Sequence, residues 1–260
     1  MLQTATRPMH AVASRIFAPS IPTPRTMIET LPFSVRIAQN ETDIRKAINI
    51  RHAAYARHFP ALASKLTQPE AFDFEEGMFV LLAESKLDGA VLGTMRVQTN
   101  LLCPLLLEES VELPLKFVGK SLAEATRLGV APGQVGRRVR IMMFKAMFNW
   151  CRDHGIDWMV IAGRAPLDRQ YESLMFEDVF PNLGFIPMRH ACDIPHRVFA
   201  HEIATGQTRW EEAEHPLYDL FFTTDHPDID IGNAESVLPR IPEFKIAPEP
   251  SNVIPLSRYD

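Results

Sequence analysis

The spacing of hydrophobic and polar positions changes along the chain, and the changes mark out its elements. Phe33 to Ala38 alternates as a short strand, and Asn40-Glu-Thr-Asp43 offers a side-chain acceptor with an acid three residues later, the start signal of a helix. That helix carries Ile44, Ile48, Arg51 and Tyr55 on one face, so an arginine sits in its apolar stripe. Met78 to Glu84 and Ala90 to Gln98 are predicted strands joined at Ser85 to Gly89, where Asp88-Gly89 signals a hairpin. Leu122 to Val130 is a third long strand. Gly133 to His154 is the strongest helix: Val135, Val139, Met142, Ala146 and Trp150 form its stripe, Arg138, Arg140, Lys145 and Arg152 lie off it, and Gly155 stops it. A buried strand over 157–163, a helix over 167–176 and a late strand over 197–203 complete a mixed α/β sandwich.

Proline sets the limits of that pattern. Five prolines lie in residues 1–34 and six in 227–260, which leaves ten for the 192 residues between. Residues 1–34 are expected to be a disordered arm, 35–226 one domain and 227–260 an irregular tail. The first arm has three arginines, eight Ser/Thr and only Glu29 as an acid, a composition that also suits an organellar transit peptide, but it lacks the apolar core of a signal peptide.

Composition narrows the class. A net charge of −5 argues against a general nucleic-acid binder, whose affinity needs a basic excess. No apolar run approaches the roughly 18 residues a membrane span requires. Cys103, Cys151 and Cys192 are odd in number and far apart, so neither a disulfide framework nor a cysteine zinc cage is indicated, and a reducing cytoplasm fits best. His190-Ala-Cys192-Asp-Ile-Pro-His196, with His201 beyond it, has no zinc-ligand spacing, and no metal is expected. The runs Leu101 to Leu107 and Met142 to Phe144 read as core rather than as a lipid pocket.

Two adjoining segments carry the candidate chemistry. Ala123-Glu-Ala-Thr-Arg-Leu-Gly-Val130 is followed at once by a Pro-Gly turn and a helix opening Gly133-Gln134-Val135-Gly136-Arg137-Arg138. A helix N-terminus after a tight turn presents free backbone amides, a cradle for a pyrophosphate or a phosphopantetheine, although glycine at such a junction is also common without any ligand. Arg51 in an apolar stripe and Glu124 in a strand covered on both faces each need a charged partner to offset desolvation. Such a network is open to two readings, a structural tie between the first helix and the sheet or a site.

The stretch from Val130 into the helix resembles the acyl-carrier-binding motif of the GNAT (N-acyltransferase) fold, and Glu124-x-x-Arg127 resembles the Glu-x-x-Arg signature of acyl-homoserine lactone synthases. The N-acyl amino acid synthases of the FeeM type share this architecture, and the likeness runs from about Val35 to Ile203. Arg51, Asp73 with Glu76, and Arg96 stand at the signature's other polar positions. The resemblance implies a central mixed, mostly antiparallel sheet flanked by helices, and transfer of a long fatty acyl group from acyl carrier protein or acyl-CoA to the amine of an amino acid or similar small molecule, with no bound cofactor. It makes Glu124 the general base acting through a water, gives the strand's amides near Val130 the thioester oxygen, and places Arg127 beside them. Arg51, Arg96 and Arg127 become candidates to clamp the amino acid's carboxylate or to fix the acids, Asp73 with Glu76 to bind its ammonium end, and Gly133 to Arg138 the phosphopantetheine cradle.

Within the resemblance some points differ. In Gln134-Val-Gly136-Arg137-Arg138 an arginine stands where acetyl-CoA users carry the last small residue of their loop, which favours a carrier-protein phosphopantetheine, and Arg137, Arg138, Arg140 and Lys145 offer an acidic carrier a docking patch. Phe180 replaces the tyrosine that often precedes the Gly184-Phe185 pair, so the leaving thiolate has no assigned acid. Strict alternation would put Glu124 and Arg127 on opposite faces, so a bulge is predicted between Ala125 and Gly129. The competing expectations are an acyl-homoserine lactone synthase using S-adenosylmethionine, an acetyl-CoA-dependent N-acetyltransferase, and a non-catalytic module that binds acyl groups or their carrier.

Overall fold

A computed structural model describes residues 26–232. Its strands are β1 (Met27–Ile28), β2 (Phe33–Ile37), β3 (Met78–Ser85), β4 (Val91–Thr99), β5 (Leu122–Val130), β6 (Trp158–Gly163), β7 (Glu177–Asp178), β8 (Ile186–Met188), β9 (Ile194–Glu202), β10 (Thr224–Asp225) and β11 (Ile229–Asp230). Its helices are α1 (Glu41–Ala56), α2 (Pro60–Ala63), α3 (Gly133–Asp153), α4 (Asp168–Ser173) and α5 (Ile203–Glu212). Among the described residues nine strands form one sheet in the order β11-β2-β3-β4-β5-β6-β9-β7, with β8 paired to β9. The β11–β2 and β5–β6 pairs are parallel and the others in this sheet antiparallel, the mixed, mostly antiparallel α/β sheet that was expected.

The period of two sorts the side chains by face. Phe79, Leu81 and Ala83 of β3, Met95 and Val97 of β4, and Ala123 and Ala125 of β5 pack in one core with α3. Val139, Met142, Met143, Phe144 and Met147 of α3 are almost wholly buried there, each stabilising the fold by about 1.5–3 kcal/mol. On the other face Val80 and Leu82 meet Ile44, Ala47 and Ile48 of α1. Asn40 caps α1 by accepting from the Asp43 amide at 3.0 Å. On the same face Thr94, Arg96 and Gln98 of β4 and Glu124 and Thr126 of β5 are polar and buried.

Two glycines let helices approach closely. A Cβ on Gly129 would stand 3.0 Å from the Arg51 Cα, so α1 rests on β5 at the site itself. A Cβ on Gly136 would fall 1.7 Å from the Ala131 carbonyl oxygen, so the start of α3 folds against its own leading turn.

Several expectations are corrected here. Residues 26–34 and 227–232, assigned by proline content to the arms, belong to the fold: Leu31 and Phe33 are core residues, and β11 pairs with β2. The rest of both arms lies outside the described residues. The helix expected over 167–176 stops at Ser173, and Met175 adopts φ +58°. Val135 is half exposed, whereas Lys145 is buried, its ammonium donating to the carbonyls of Leu220 and Thr224. Lys145 is therefore no part of a docking surface. No helix among the described residues is long and apolar enough to cross a membrane.

Candidate active site

The polar face of β4 and β5 is built from cross-strand pairs, Arg96 opposite Thr126 and Gln98 opposite Glu124. Arg96 Nε donates to Thr126 Oγ1 at 3.2 Å. Next along β5 the register shifts: Thr126 faces Arg96 and Gly129 faces Thr94, so Arg127 and Leu128 share the space opposite Met95. This is a bulge inside the predicted stretch, and Arg127 occupies it at φ +53°. The extra residue returns Arg127 to the face that Glu124 occupies.

Four segments converge there. Arg51 from α1 donates to both Asp73 oxygens at 3.0 Å, and Arg127 donates to both Glu70 oxygens at 2.7 and 2.6 Å. Arg96 Nη1 lies 3.3 Å from Glu70 and 3.3 Å from Asp73, and Arg51 reaches Glu70 at 3.3 Å. Three arginines thus enclose two carboxylates, and two-point contacts fix the guanidinium groups of Arg51 and Arg127. Burial opposes ionisation of Glu70, but the Arg127 hydrogen bonds and the charges of Arg127, Arg96 and Arg51 hold its carboxyl down at about 2. Burial likewise opposes the Arg127 charge, and Glu70 more than restores it. Arg96 is pushed down, above all by burial.

Glu124 is wholly enclosed. One oxygen accepts from the Leu107 amide at 3.2 Å, and Oε1 has no hydrogen-bond partner among the described residues. Burial pushes its carboxyl up to about 7, against the Leu107 amide and the Arg96 charge.

Beyond Ala125 the β5–β6 pairing ends, while β6 stays paired with β9 as far as Gly163. The two parallel strands splay, and a cavity of about 240 Å³ opens between them. Thr126, Arg127, Leu128 and Val130 form one wall and Ile161, Ala162 and Arg164 the other. Tyr171, to which sequence spacing gives no role, also lines it. So do His190 and His196 from the stretch read as ordinary loop and strand. Burial first, then Arg127 and His196, hold His190 down at about 4. His196 is lowered chiefly by burial, and its Nδ1 lies 2.6 Å from the Ile194 carbonyl oxygen. Both are neutral imidazoles at pH 7.

The structure thus brings together Arg51, Asp73, Arg96, Glu124 and Arg127, and it sets Val130 with Arg127 on the cavity wall. Glu76 stands apart, exposed and without a hydrogen bond to the cluster; Glu70, three residues before Asp73 instead of three after, has the place expected for it. The Glu70 amide donates to Asp73 Oδ2 and the Asp73 amide to the Glu70 carbonyl, so a single turn presents both acids. Gly133, Gln134, Val135, Arg137 and Arg138 are exposed at the start of α3, with Gly136 buried between them, and Arg138 donates to Glu29 at 2.6 Å.

The profile of the family described as N-acyl amino acid synthase FeeM matches residues 46–182, more than half of the chain. Among solved structures, FeeM, an N-acyl amino acid synthase from uncultured soil microbes, is similar at 13% identity over 70% of this chain and 96% of that one, with a TM-score of 0.52. BjaI, a CoA-dependent acyl-homoserine lactone synthase, is similar at 15% identity over 75% and 93%, with a TM-score of 0.44. Aminoglycoside 6'-acetyltransferase type Ii is similar at 12% identity over 66% and 97%, with a TM-score of 0.44. No curated protein matches the sequence. The fold is shared with FeeM, and by its family the enzyme is an N-acyltransferase. Because the family's profile covers more than half of the chain, with the charged cluster, the bulged strand, most of α1 and much of the cavity wall inside it, the chain belongs to the FeeM family of N-acyl amino acid synthases.

Proposed function

We propose that this N-acyltransferase moves a long fatty acyl group from the thioester of acyl carrier protein, or of coenzyme A, to the amine of an amino acid. The observation that carries the reading is the splay of β5 from β6 at the bulge: a cavity opens where the register leaves Arg127 and Leu128 without partners on β4, with a carboxyl of pKa about 7 one residue behind the wall. A thioester laid along Leu128 to Val130 has backbone amides available for its carbonyl oxygen, where they stabilise the developing oxyanion. The pantetheine arm leaves past Val130 toward the exposed amides of Gly133 and Gln134, beside Arg137 and Arg138.

An amine that is protonated at neutral pH is no nucleophile. Glu124, half ionised near pH 7, takes one ammonium proton through a water and so lets the nitrogen attack the thioester carbon; the carbon–sulfur bond then breaks and the thiolate departs with the second proton that the nitrogen sheds as the amide forms. Arg51, Arg96 and Asp73 lie behind Arg127 and hold it and Glu70 in position. In this reading they act through Arg127 rather than on the substrate, and the exposed Glu76 takes no part.

Intact-mass spectrometry tests the reading. Carrier protein loaded with a long acyl chain is incubated with the enzyme and a mixture of amino acids, beside a parallel tube holding acyl-CoA. Loss of the acyl mass that depends on both enzyme and amine is expected, and the product mass names the acceptor. Loss from acyl-CoA alone removes the carrier from the reading; loss from neither, with folded protein, removes the transferase activity.

A further inference from the structure

The cavity is unusual in the balance of its walls. Four arginines line it, Arg57, Arg127, Arg140 and Arg164, and no aspartate or glutamate does. Two of the four have strong acceptors elsewhere: Arg127 is held by Glu70, and Arg57 donates to the Val130 carbonyl oxygen at 2.7 Å. Arg164 stacks on Phe59, 4.1 Å from the ring centroid, and among the described residues donates only to the neighbouring Ala165 carbonyl. Arg140 has no hydrogen-bond or ion-pair partner among the described residues, although it is half buried. Elsewhere a buried or half-buried arginine meets a carboxylate, as Arg36 meets Asp43 and Arg197 meets Asp178.

We infer that Arg140, Arg164 and the Tyr171 hydroxyl form an oxyanion subsite that takes the carboxylate of the acceptor molecule. This rests on the acyl-transfer reading above for the identity of the acceptor. The three side chains come from α3, from the residue after β6 and from α4, and all three line the cavity that opens where β6 leaves β5. Both guanidinium charges act on the Tyr171 phenol, and all three residues line the same cavity. Burial raises that phenol far above neutrality, so it remains a donor. Burial also lowers both Arg140 and Arg164, in contrast to Arg36 and Arg197, whose carboxylate partners raise them. The unpaired charges are the ones an anionic ligand would restore, and a planar guanidinium pair matches a carboxylate's two oxygens.

A phosphate of the donor is the competing anion. The exposed amides at the start of α3, with Arg137 and Arg138, already stand where a phosphate would leave the cleft, whereas Arg140 lies a turn further along the helix, on the cavity wall. The inner site therefore serves the acceptor. An acceptor with an anion near its amine would be held at one end by Arg140 and Arg164 while its nitrogen faces the bulge.

The test is binding of acid and carboxamide pairs, N-decanoyl glycine, leucine and phenylalanine against their amides, to the full chain by calorimetry. The expected result is an acid bound on the order of tenfold tighter than its amide, the scale of one charged hydrogen bond. The Arg140→Gln, Arg164→Gln double variant should equalise the two, and Arg140→Lys, which keeps the charge and guards against a folding defect, should keep part of the preference. Equal binding by the wild type overturns the subsite. A preference that survives in the double variant, with affinity lost only for coenzyme A, overturns it too and assigns the anion to the donor. An enzyme that prefers the acids but transfers no acyl group would sink the acyl-transfer reading and leave the subsite standing.

Discussion

Arg127 Nη2 lies 2.6 Å from Glu70 Oε1 and Arg127 Nε 2.7 Å from Glu70 Oε2, across 57 residues of sequence. The contact exists because Arg127 sits at φ +53° in the bulge of β5, a backbone region that few residues other than glycine adopt. The carboxylate that receives it also receives Arg51 and Arg96. One carboxylate therefore ties the first helix, two strands and the rim of the cavity.

Glu70→Gln should destabilise the protein by about 3–5 kcal/mol, because three buried or nearly buried guanidinium groups are left with Asp73 alone. Glu76→Gln, at an exposed position without a partner in the cluster, should stay within about 0.5 kcal/mol of wild type. Urea unfolding of the two variants separates these outcomes. The Glu70 carboxyl, depressed from 4.5 to about 2, contributes stability that is present above pH 4.5 and lost as pH falls toward 2. The Gln variant should lack that acid limb.

Glu124→Gln should fold and lower turnover by about 10²–10⁴, the usual weight of general-base catalysis. In the wild type, kcat/KM should rise with pH through about 7 as the carboxyl ionises. Its effect on stability has the opposite sign to that of Glu70. A folded-state pKa raised from 4.5 to about 7 favours the protonated native state, so the contribution is full below pH 4.5 and is lost as pH rises through 7. Unchanged turnover in the variant would remove Glu124 from the chemistry.

Gly129→Ala should cost about 1–3 kcal/mol, since its Cβ would press on the Arg51 backbone at 3.0 Å and lift α1 from the sheet. Because Arg51 moves with the helix, activity should fall further than stability alone explains. Thermal unfolding and steady-state kinetics on the same preparation show the difference.

Arg137→Glu with Arg138→Glu should raise KM for acyl carrier protein by about tenfold at low salt, and by less as salt is added, because both side chains are exposed. The KM for acyl-CoA reports whether the same pair serves its phosphates. Lys145→Met should act on stability instead: it strands the Leu220 and Thr224 carbonyls, at about 1–3 kcal/mol, and leaves carrier recognition unaltered.

Long elements with a clean period were legible in the sequence. β5 runs over Leu122–Val130 as read, α3 ends one residue early at Asp153, and the bulge was expected from strand alternation together with the family resemblance, whose fold carries one in this strand. Short elements were not: β7, β10 and β11 have two residues each, and only pairing with distant partners makes them strands. Glu70 was missed because acids stand three residues to either side of Asp73, and spacing cannot choose between them; the turn at Ala71–Asp73 does. Arg140 and Arg164 have no shared local pattern, since one is on a helix and the other follows a strand. Lys145 read as surface because its partners, two backbone carbonyls, carry no sequence signal.

The arginine cluster also governs how the molecule opens. Arg51 on α1 and Arg127 on β5 share Glu70, so α1 cannot detach without exposing charges that hold the cavity rim. The backbone amides of α1 near Arg51 and of β5 near Arg127 should therefore exchange with solvent deuterium as one cooperative unit, at a shared rate set by the breaking of that joint.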